Sequence, residues 1–471
     1  MKYDYDLICI GLGPAGMAVS IMGSAMGLNV CAIEMEAIGG ECMNVGCIPS
    51  KSLLRMAKTR NIFNKLDKME LTSSPIPGIK NPFSRIHDYI KYINDKKTVK
   101  MFDKVKLYLG KGSASFVDPH TVLVGDKKIT AKRIYIATGT SPMVPPIPGI
   151  KNIDIITNLN VFSLSKIPES MTIIGGGAIG SEMAQAFSRL GCKCSIVQMD
   201  PYLVPIGDEE AGKLLEEVFL REGIEVFNSR KITKVEQEKG KIALYTEEGE
   251  KIISEKLMVA AGRKINTQSL KLENAGVKLT KRGAIEVNKK LQTSSKHIYA
   301  VGDVNGHIQL SHAAMHQGML ALMNAMSPLA IFRYKNYQTP WTVFTEPQIS
   351  YVGMREQDLK DKGIKYQTIK VSYGDYGAAI AENVGVGFVK AFVSYFGRIY
   401  GVSIVGEGSG EMINEWALAI QKKIRLHDIM FLQHSFPTMG FLTKRVSEEW
   451  MMKKMESSWM KKMCKLAFNI F

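Results

Sequence analysis

Short apolar runs, each followed by glycines and then by a helical pattern, recur along the chain. Residues 7–10 lead into the turn 11–16 and a predicted helix that reaches about Met26, and the strand 29–33 follows, ending at Glu34. The same order returns with the run 171–174, the turn 175–180, a helix and the strand 193–197. Buried strands of parallel sheets are continuous apolar runs of this kind. The chain therefore repeats one strand–helix–strand unit, which predicts an α/β fold with two Rossmann-like units.

The two glycine-rich turns predict two dinucleotide-binding sites. The first glycine of such a turn makes the bend, the second lets the backbone approach a pyrophosphate, and the third lets helix and strand pack closely. The pyrophosphate then lies at the N-terminus of a helix, where free N–H groups favour an anion. Because both turns stand between a strand and a helix, together they are a specific signal. Their glycines are Gly11, Gly13 and Gly16, and Gly175, Gly177 and Gly180.

The residue at the end of the second strand of each unit bears on the nucleotide. Glu34 lies 23 residues after Gly11 and can accept hydrogen bonds from both ribose hydroxyls. The same step from Gly175 leads to Gln198, which does not repel a 2′-phosphate and has no arginine beside it in the sequence. The second site therefore stays open between NAD and NADP.

Further along, the pattern changes twice. A helical region over about 49–103 is followed by short alternating strands over 105–136 and a proline-rich link over 142–148. Such a link favours a domain boundary. Residues from about Trp341 to Glu449 alternate strands and helices without a glycine fingerprint, which predicts a third domain with its own core.

Composition removes several function classes. With 471 residues, 45% hydrophobic positions and a mean hydropathy of −0.03, the chain is typical of a globular protein of about three domains. No apolar run reaches the roughly 18 residues of a spanning helix. Seven cysteines are too few for a disulfide-stapled secreted scaffold, and the first residues lack a signal-peptide pattern, so a cytoplasmic location is expected. The net charge of +16 is spread along the chain, which gives no focused nucleic-acid footprint but suits anionic substrates or a membrane surface.

The most informative segment is residues 39–51, in which Cys42 and Cys47 precede a helix that we expect to begin at Pro49. A metal site would need two further ligands and no second Cys/His cluster supplies them, so no metal site is predicted. A redox-active pair fits better than a structural disulfide in a cytosolic chain. Residues 44–46 can supply the distorted turn that brings the sulfurs together, and a helix N-terminus near Cys47 would lower its pKa. We expect the remaining strand cysteines to be core residues: Cys9, Cys31, Cys192 and Cys194.

These residues together resemble the FAD-dependent pyridine nucleotide–disulfide oxidoreductases, in their dihydrolipoamide dehydrogenase and mercuric reductase-like branch. The resemblance covers about residues 4–450. Residues 39–51, with Gly40, are similar to the family's redox motif, and 345–353 resemble the start of its dimerisation domain. The other FAD-motif matches are Gly11, Gly13, Gly16, Glu34, Ala137, Thr138, Gly139, Gly302 and Asp303; the NAD(P)-motif matches are Gly175, Gly177, Gly180, Gln198, Gly262 and Arg263.

The resemblance implies the architecture and the reaction. Two Rossmann-like domains for FAD and NAD(P) and a C-terminal α+β dimerisation domain would form a homodimer. Electrons would pass from NAD(P)H through FAD to the Cys42–Cys47 pair and on to a small-molecule or metal-ion acceptor, with an ion pair between Lys51 and Glu182 near the flavin. The implied boundaries are 1–150 and 268–340 for the FAD domain, 151–267 for the NAD(P) domain, 341–450 for the dimerisation domain and 451–471 for a tail.

The C-terminal region departs from the resemblance. Phe436 and Phe441 stand where the disulfide reductases have an acid/base histidine and its glutamate, and His434 is two residues away. This departure argues against lipoamide and glutathione disulfide as acceptors. The expected function is reduction of a disulfide, sulfur or soft-metal acceptor; a membrane-associated quinone or metal-ion reductase, or a dihydrolipoamide dehydrogenase with another acid/base group, are the alternatives. A mercury-specific enzyme would need a C-terminal cysteine pair, but the tail has only Cys464.

The tail from Trp450 to Phe471 interleaves apolar residues with lysines. Such a pattern predicts a basic amphipathic helix. It would either pack on the dimer or lie at a membrane interface on the cytoplasmic side.

Overall fold

A computed structural model describes residues 2–72, 75–327, 329 and 331–470; Met1 and Phe471, the outer limits of the predicted domains, lie outside the described residues. The chain folds into two compact units. One consists of Met1–Met199 and Gly223–Asn336, and the other of Asp200–Glu222 and Tyr337–Phe471. Residues 200–222 thus belong to the second unit, although the predicted NAD(P) domain includes them. The predicted domain boundaries remain predictions.

The strands predicted from apolar runs are present, together with many that the pattern did not single out. The strands are β1 (Tyr5–Ile10), β2 (Val30–Glu34), β3 (Lys106–Leu109), β4 (Ser115–Asp118), β5 (Thr121–Val124), β6 (Lys127–Ile136), β7 (Thr140–Pro142), β8 (Ile155–Ile156), β9 (Ser170–Ile174), β10 (Lys193–Val197), β11 (Glu225–Phe227), β12 (Ile232–Glu238), β13 (Lys241–Thr246), β14 (Lys251–Ser254), β15 (Lys256–Val259), β16 (Arg263–Ile265), β17 (Ile298–Ala300), β18 (Trp341–Val343), β19 (Ile349–Gly353), β20 (Gln367–Ser372), β21 (Phe388–Val393) and β22 (Ile399–Val405).

A helix follows each of the two glycine turns, as predicted. The α-helices of the described residues are α1 (Pro14–Ala25), α2 (Gly40–Asn44), α3 (Cys47–Phe63), α4 (Pro82–Ile93), α5 (Ala178–Arg189), α6 (Glu209–Arg221), α7 (Ser311–Met326), α8 (Glu356–Asp361), α9 (Gly377–Ala381), α10 (Ser409–Lys422), α11 (Leu426–Phe431), α12 (Phe441–Met455) and α13 (Ser458–Ile470); α1 and α5 are the two that follow the glycine turns.

The first unit contains both predicted strand–helix–strand units, each built into its own sheet. β1 pairs in parallel with β2 and β6, and β17 pairs in parallel with β6. The second sheet has the parallel order β11-β10-β9-β15-β8. Since strands of a parallel sheet point the same way, the turns after β1 and β9 lie at the carboxyl edges of their sheets, where dinucleotides bind in such folds.

Two apolar clusters fill the first unit. One packs residues of β1, β2, β5 and β6 against the region 270–304, and the other packs β13 and β15 with neighbouring loops. Cys9 and Cys31 are buried on the strands of the first sheet, and Cys192 and Cys194 are buried at the start of β10. The prediction that these four cysteines are core residues is confirmed.

The second unit is built on an antiparallel sheet with the order β18-β19-β22-β21-β20. Its core contains Trp416 of α10 and Trp450 of α12, both buried. The sequence pattern placed Trp450 at the start of the amphipathic tail. Trp450 ends up in the core because it belongs to α12, whereas α13 has no buried residue.

Candidate functional site

The turn after β1 has the geometry of a phosphate cradle. Gly11 has a φ of +94°, and a Cβ there would lie 2.5 Å from the carbonyl oxygen of Ala137. A Cβ at Gly16 would lie 1.9 Å from the carbonyl oxygen of Gly11, so neither position admits a side chain. At Gly13, by contrast, a Cβ would meet no atom within 4 Å. Gly13 precedes α1 without a capping side chain, which leaves the first N–H groups of the helix directed at this open space.

The predicted ribose-binding carboxylate lies beside this turn. Glu34 Oε2 accepts a hydrogen bond of 2.7 Å from the backbone N–H of Leu12, and Oε1 accepts one of 2.9 Å from Glu36 N–H. Gly40, at the start of α2, is close to the same turn, because a Cβ on it would be 2.9 Å from Gly13 Cα. The redox segment and the first cradle are therefore neighbours.

The turn after β9 repeats the cradle. A Cβ at Gly180 would lie 1.9 Å from the carbonyl oxygen of Gly175, whereas Gly177 faces open space. Gln198 is buried, and its Oε1 accepts a hydrogen bond of 3.0 Å from Gly176 N–H. The backbone N–H of Arg230 donates to the Gln198 carbonyl at 2.8 Å, while the Arg230 Nε donates to Glu250 at 2.6 Å. An arginine thus stands near Gln198 in space, which the sequence neighbourhood did not reveal.

The two predicted redox cysteines are joined by the distorted turn that the sequence led us to expect. α2 ends at Asn44, and α3 begins at Cys47, two residues before the predicted start at Pro49. Asn44 Nδ2 donates to the carbonyl oxygens of Ile38 and Gly40, at 3.0 and 2.9 Å, which holds the first helical turn in place. Both cysteines are partly buried free thiols in this structure.

Their surroundings make the two sulfurs unequal. The hydrogen bond from Cys42, the contact with Ser311 and the positive charge of Lys51 lower the pKa of Cys47 to about 6, against the opposing effects of burial and Glu182. The same hydrogen bond to Cys47, together with burial, raises the pKa of Cys42 far above its ordinary value. The position of Cys47 at the start of α3 acts in the same direction, since a helix N-terminus stabilises an anion. The surroundings therefore favour the thiolate at Cys47 and the protonated thiol at Cys42.

Lys51 and Glu182 meet as predicted. Lys51 lies one helical turn after Cys47 on α3, and its Nζ is 2.7 Å from Glu182 Oε2 on α5. Two charged residues in a sequence could equally form an exposed surface ion pair. Here the Glu182 side chain is only 6% exposed, so the pair is not of that kind.

One residue at the cysteine pair was missed in the sequence. Ser311 Oγ lies 3.5 Å from Cys47 Sγ, and Ser311 is the first residue of α7. It is 264 residues away along the chain and belongs to no glycine or cysteine motif. No sequence signal singled it out.

A polar network continues from the cysteine segment to the predicted flavin aspartate. Arg263 on β16 donates from Nη2 to Glu41 Oε2 and to the carbonyl oxygen of Thr140, and from Nε to Thr140 Oγ1 at 2.6 Å. Thr140 Oγ1 in turn donates to Asp303 Oδ2 at 2.8 Å. Burial raises the pKa of Asp303. Arg263, predicted to be a nucleotide-site residue, thus connects Glu41, which precedes Cys42, to Asp303.

The remaining predicted site residues line the strand ends near this network. The backbone N–H of Ala137 donates to Ile10 O at 2.8 Å. Thr138 Oγ1 donates to Asn266 O at 2.7 Å, and Gly139 O accepts from Asn266 N–H at 3.1 Å. The backbone N–H of Gly302 donates to Gln317 Oε1 at 2.9 Å. Gly262, with a φ of +128°, makes the bend before β16.

The C-terminal segment of the second unit carries aromatic rings where the resemblance implied a histidine and a glutamate. The rings of Phe436 and Phe441 are 5.5 Å apart, and Phe436 is 70% exposed. His434 Nε2 contacts Glu415 Oε1 at 3.0 Å, and its Nδ1 contacts the Leu432 carbonyl oxygen at 3.4 Å. Both nitrogens of His434 therefore have partners within the second unit.

The described residues contain neither a metal-binding cluster nor a membrane-spanning helix. Within the described ranges, no group of three or more His, Cys, Asp or Glu side chains is arranged to hold a metal ion. None of the helices in the described part of the chain is long and apolar enough to cross a bilayer.

Comparison with known proteins agrees with the geometry. A family model described as pyridine nucleotide-disulphide oxidoreductase matches residues 5–318, and the dimerisation domain of the same family matches residues 339–445. A mercuric reductase of Staphylococcus aureus is 32% identical over 90% of this chain and 79% of its own length. A dihydrolipoyl dehydrogenase of Thermus scotoductus is 32% identical over 93% of this chain and 95% of its own.

A solved structure shares the fold. The HOCl-induced flavoprotein disulfide reductase RclA from Escherichia coli superposes with a TM-score of 0.84 at 24% identity, covering 95% of this chain and 99% of its own. The predicted α/β fold with a C-terminal dimerisation domain is confirmed.

Proposed function

The chain belongs to the pyridine nucleotide-disulphide oxidoreductases, a family of flavoenzymes that bind FAD and use NAD(P)H, and we propose that it reduces a sulfur or soft-metal acceptor through Cys42 and Cys47. The match to the dimerisation domain supports a homodimer. The observation that carries the proposal is the unequal cysteine pair beside the Lys51–Glu182 ion pair.

The residues present fit both nucleotides. Gly13 and Gly177 each leave open space at an uncapped helix N-terminus, where a pyrophosphate can accept backbone hydrogen bonds. Glu34 and Asp303 are the carboxylates that we assign to the ribose and to the ribityl chain of FAD. FAD, when bound, supplies the two-electron relay between NAD(P)H and the cysteine pair. The preference between NADH and NADPH stays open, since Arg230 lies near Gln198 but is paired with Glu250.

The two sulfurs have different roles in the proposed reaction. Reduction of the Cys42–Cys47 disulfide by two electrons gives a thiolate at Cys47, which Lys51 stabilises, and a thiol at Cys42 that takes up one proton. Cys42 then gives its proton to water and attacks one sulfur of a polysulfide acceptor, whose S–S bond breaks and releases one sulfur fragment as an anion. Attack of Cys47 on the Cys42 sulfur of the resulting mixed disulfide restores the Cys42–Cys47 disulfide and expels the second fragment as an anion, so that both electrons leave with the reduced acceptor.

The proton requirement argues for the class of acceptor. An alkyl disulfide releases a poorly stabilised thiolate, which benefits from a positioned acid. Phe436 and Phe441 carry no proton, and both nitrogens of His434 are engaged. A polarised sulfur species or a soft metal ion needs no such acid, because the departing group is already stabilised or the metal binds thiolates directly. We therefore favour these acceptors over dihydrolipoamide and over a quinone.

The test is a comparison of acceptors under one set of conditions. Holoenzyme is reduced anaerobically with NADH or NADPH and then mixed with lipoamide, glutathione disulfide, a polysulfide, Hg²⁺, Cu²⁺ or a short-chain quinone. We expect faster reoxidation by the polysulfide or a metal ion than by the alkyl disulfides. Fastest turnover with lipoamide would contradict the assignment of the acceptor class while leaving the cysteine relay intact.

A second proposal concerns location. We propose that the enzyme works in the cytoplasm and contacts the inner membrane face through α13. No residue of α13 is buried, and the helix carries lysines but no acidic residue. Full-length enzyme is expected to bind anionic liposomes, and a chain that stops after Lys454 is not. Equal binding by both chains would reject this membrane contact.

A further inference from the structure

An exposed aromatic turn joins β21 to β22 in the second unit. Tyr395 and Phe396 are 55% and 69% exposed, and their rings pack edge to face with centroids 5.3 Å apart. The turn is closed by backbone hydrogen bonds from Ser394 N–H to Arg398 O at 2.8 Å and from Gly397 N–H to Ser394 O at 3.0 Å. These two rings are therefore held outward by a tight turn, although burial in a core would be the usual fate of such large side chains.

A lysine connects this turn to the end of α12. Lys454 Nζ lies 4.5 Å from the ring centroid of Tyr395 and 5.9 Å from that of Phe396. It also lies 4.0 Å from the ring of Trp450, which is buried in the core of the second unit. Because α13 begins at Ser458, four residues after Lys454, the aromatic turn and the start of α13 belong to one side of the second unit.

Most apolar and basic residues of α13 lie on different faces of the helix. Trp459, Met463, Leu466 and Ile470 recur at helical spacing and so share one face, and each is between 46% and 65% exposed. Lys461 and Lys465 fall on the opposite side of the helix, whereas Lys462 borders the apolar face, and there is no acidic residue in the helix. The exposed Phe468 also lies on the opposite side. A helix of this kind suits the surface of a lipid bilayer, which has anionic headgroups outside and apolar acyl chains below them.

We propose that the Tyr395–Phe396 turn is a second membrane-contact element, which together with α13 forms one docking surface for an anionic lipid bilayer. This inference rests on the proposed membrane contact of α13 and adds the site that fixes how the enzyme lies on the bilayer. Aromatic rings are favoured at the level of the lipid headgroups, with lysines beside them at anionic phosphates. Lys454 and Arg398 at the turn and the lysines of α13 supply the complementary charge.

A single exposed helix could tether the enzyme in any orientation. A second contact element restricts the rotation of the enzyme, because the turn and α13 must meet the surface together. The apolar face of α13 and the outward rings of the turn are then covered by the same partner.

The experiment measures binding of full-length holoenzyme to vesicles. Vesicles of phosphatidylglycerol and phosphatidylcholine are compared with phosphatidylcholine alone in a sedimentation assay. Tyr395→Ser combined with Phe396→Ser is expected to weaken binding to the anionic vesicles by about three- to tenfold, since aromatic rings are favoured at the level of the lipid headgroups. The matched control is Phe431→Ser, which removes a phenylalanine of the same unit that is 78% exposed and stands at the last residue of α11. The control should bind like the unchanged enzyme.

The outcomes separate the two proposals. If deletion of residues 455–471 abolishes binding but the turn variant binds normally, the aromatic turn is not a contact element, and the tail contact stands. If full-length enzyme binds neither kind of vesicle, both proposals fall. If the deletion converts the dimer to a monomer in light scattering and no vesicle binding is found, α13 packs against a second copy of the chain and the docking surface is overturned.

Discussion

The cysteine segment and the C-terminal segment 434–441 differ in what they keep of the family's chemistry. Around Cys47, every predicted partner is in place: Lys51, Glu182 and the distorted turn, with Ser311 in addition. In the C-terminal segment, two aromatic rings replace the acid/base pair, and His434 is tied to Glu415.

In the proposed function, electron transfer and proton transfer are separate tasks. The first depends on two sulfurs whose pKa values are pushed apart, and both sulfurs lie in one unit. The second depends on a titratable group facing the acceptor; Phe436 and Phe441 carry none, and both nitrogens of His434 are engaged within the second unit. We infer that selection for an acceptor without a proton requirement leaves the first region intact while the second is free to change.

Removal of the thiolate should have the largest effect. Cys47→Ser replaces a sulfur of low pKa by a hydroxyl that cannot form a disulfide, so turnover with every acceptor should fall by roughly a thousandfold or more. Steady-state NAD(P)H oxidation measures this loss. Cys464→Ser is the matched control, because Cys464 is exposed on α13 and outside the cysteine pair. The relay would be disproved by a Cys47→Ser enzyme with normal turnover.

Introducing an acid/base pair into the C-terminal segment should give that segment the proton-transfer chemistry that it lacks. Phe436→His with Phe441→Glu places an acid/base pair in the C-terminal segment, and lipoamide turnover is expected to rise by about tenfold or more, toward the range of general acid–base catalysis. Phe436→His alone serves as the control, since the histidine then lacks its carboxylate. No increase would mean that the acceptor pocket excludes lipoamide by shape.

Ser311 offers a finer test of the cysteine region. Ser311→Ala removes the hydroxyl 3.5 Å from Cys47 Sγ, and the loss of one hydrogen bond to a thiolate should raise the pKa of Cys47 by about half to one unit. The rate of iodoacetamide alkylation of the reduced enzyme, measured against pH, has its midpoint at the pKa of Cys47.

In the unchanged enzyme the reactive thiolate should persist above pH 6 and be lost on acidification through that value, since the pKa of Cys47 is about 6. The variant should lose it at a higher pH. Ser311→Thr keeps the hydroxyl and should restore the original midpoint. An unchanged midpoint in Ser311→Ala would show that Ser311 does not lower the pKa of Cys47.

The smallest effect is expected at His434. His434→Gln should change turnover by less than about threefold, because both ring nitrogens are engaged within the second unit and glutamine keeps a donor for Glu415. A fall of a hundredfold or more, with loss of a pH-rate limb near neutrality, would identify His434 as the missing base.

Much of the site could be predicted because its residues are local in sequence. The glycine turns, the cysteine spacing and the buried strand cysteines depend on a few neighbouring residues and on the alternation of apolar runs, and the structure agrees with each. The start of α3 differed by two residues, since Gly46 and Cys47 already adopt the helical hydrogen bonding that we expected only from Pro49.

Other features involve partners that are distant along the chain. Ser311 reaches Cys47, Arg263 reaches Glu41, and Arg230 approaches Gln198 only after the sheets have formed. None of these residues is unusual in its own sequence neighbourhood, so no pattern could single it out. The same holds for Trp450, which reads as part of a basic tail but is buried by the packing of α12 on the second sheet.

The sequence by itself determined the two dinucleotide cradles, the redox cysteines and the substitution of phenylalanines for an acid/base pair, because each is a matter of residue type at fixed local spacing. Tertiary structure alone decided that Ser311 lies beside Cys47, that Arg263 reaches Glu41, and which aromatic side chains stay outside the core. The physical reason is that pKa values and burial depend on distances between atoms, and those distances are set by the packing of elements hundreds of residues apart.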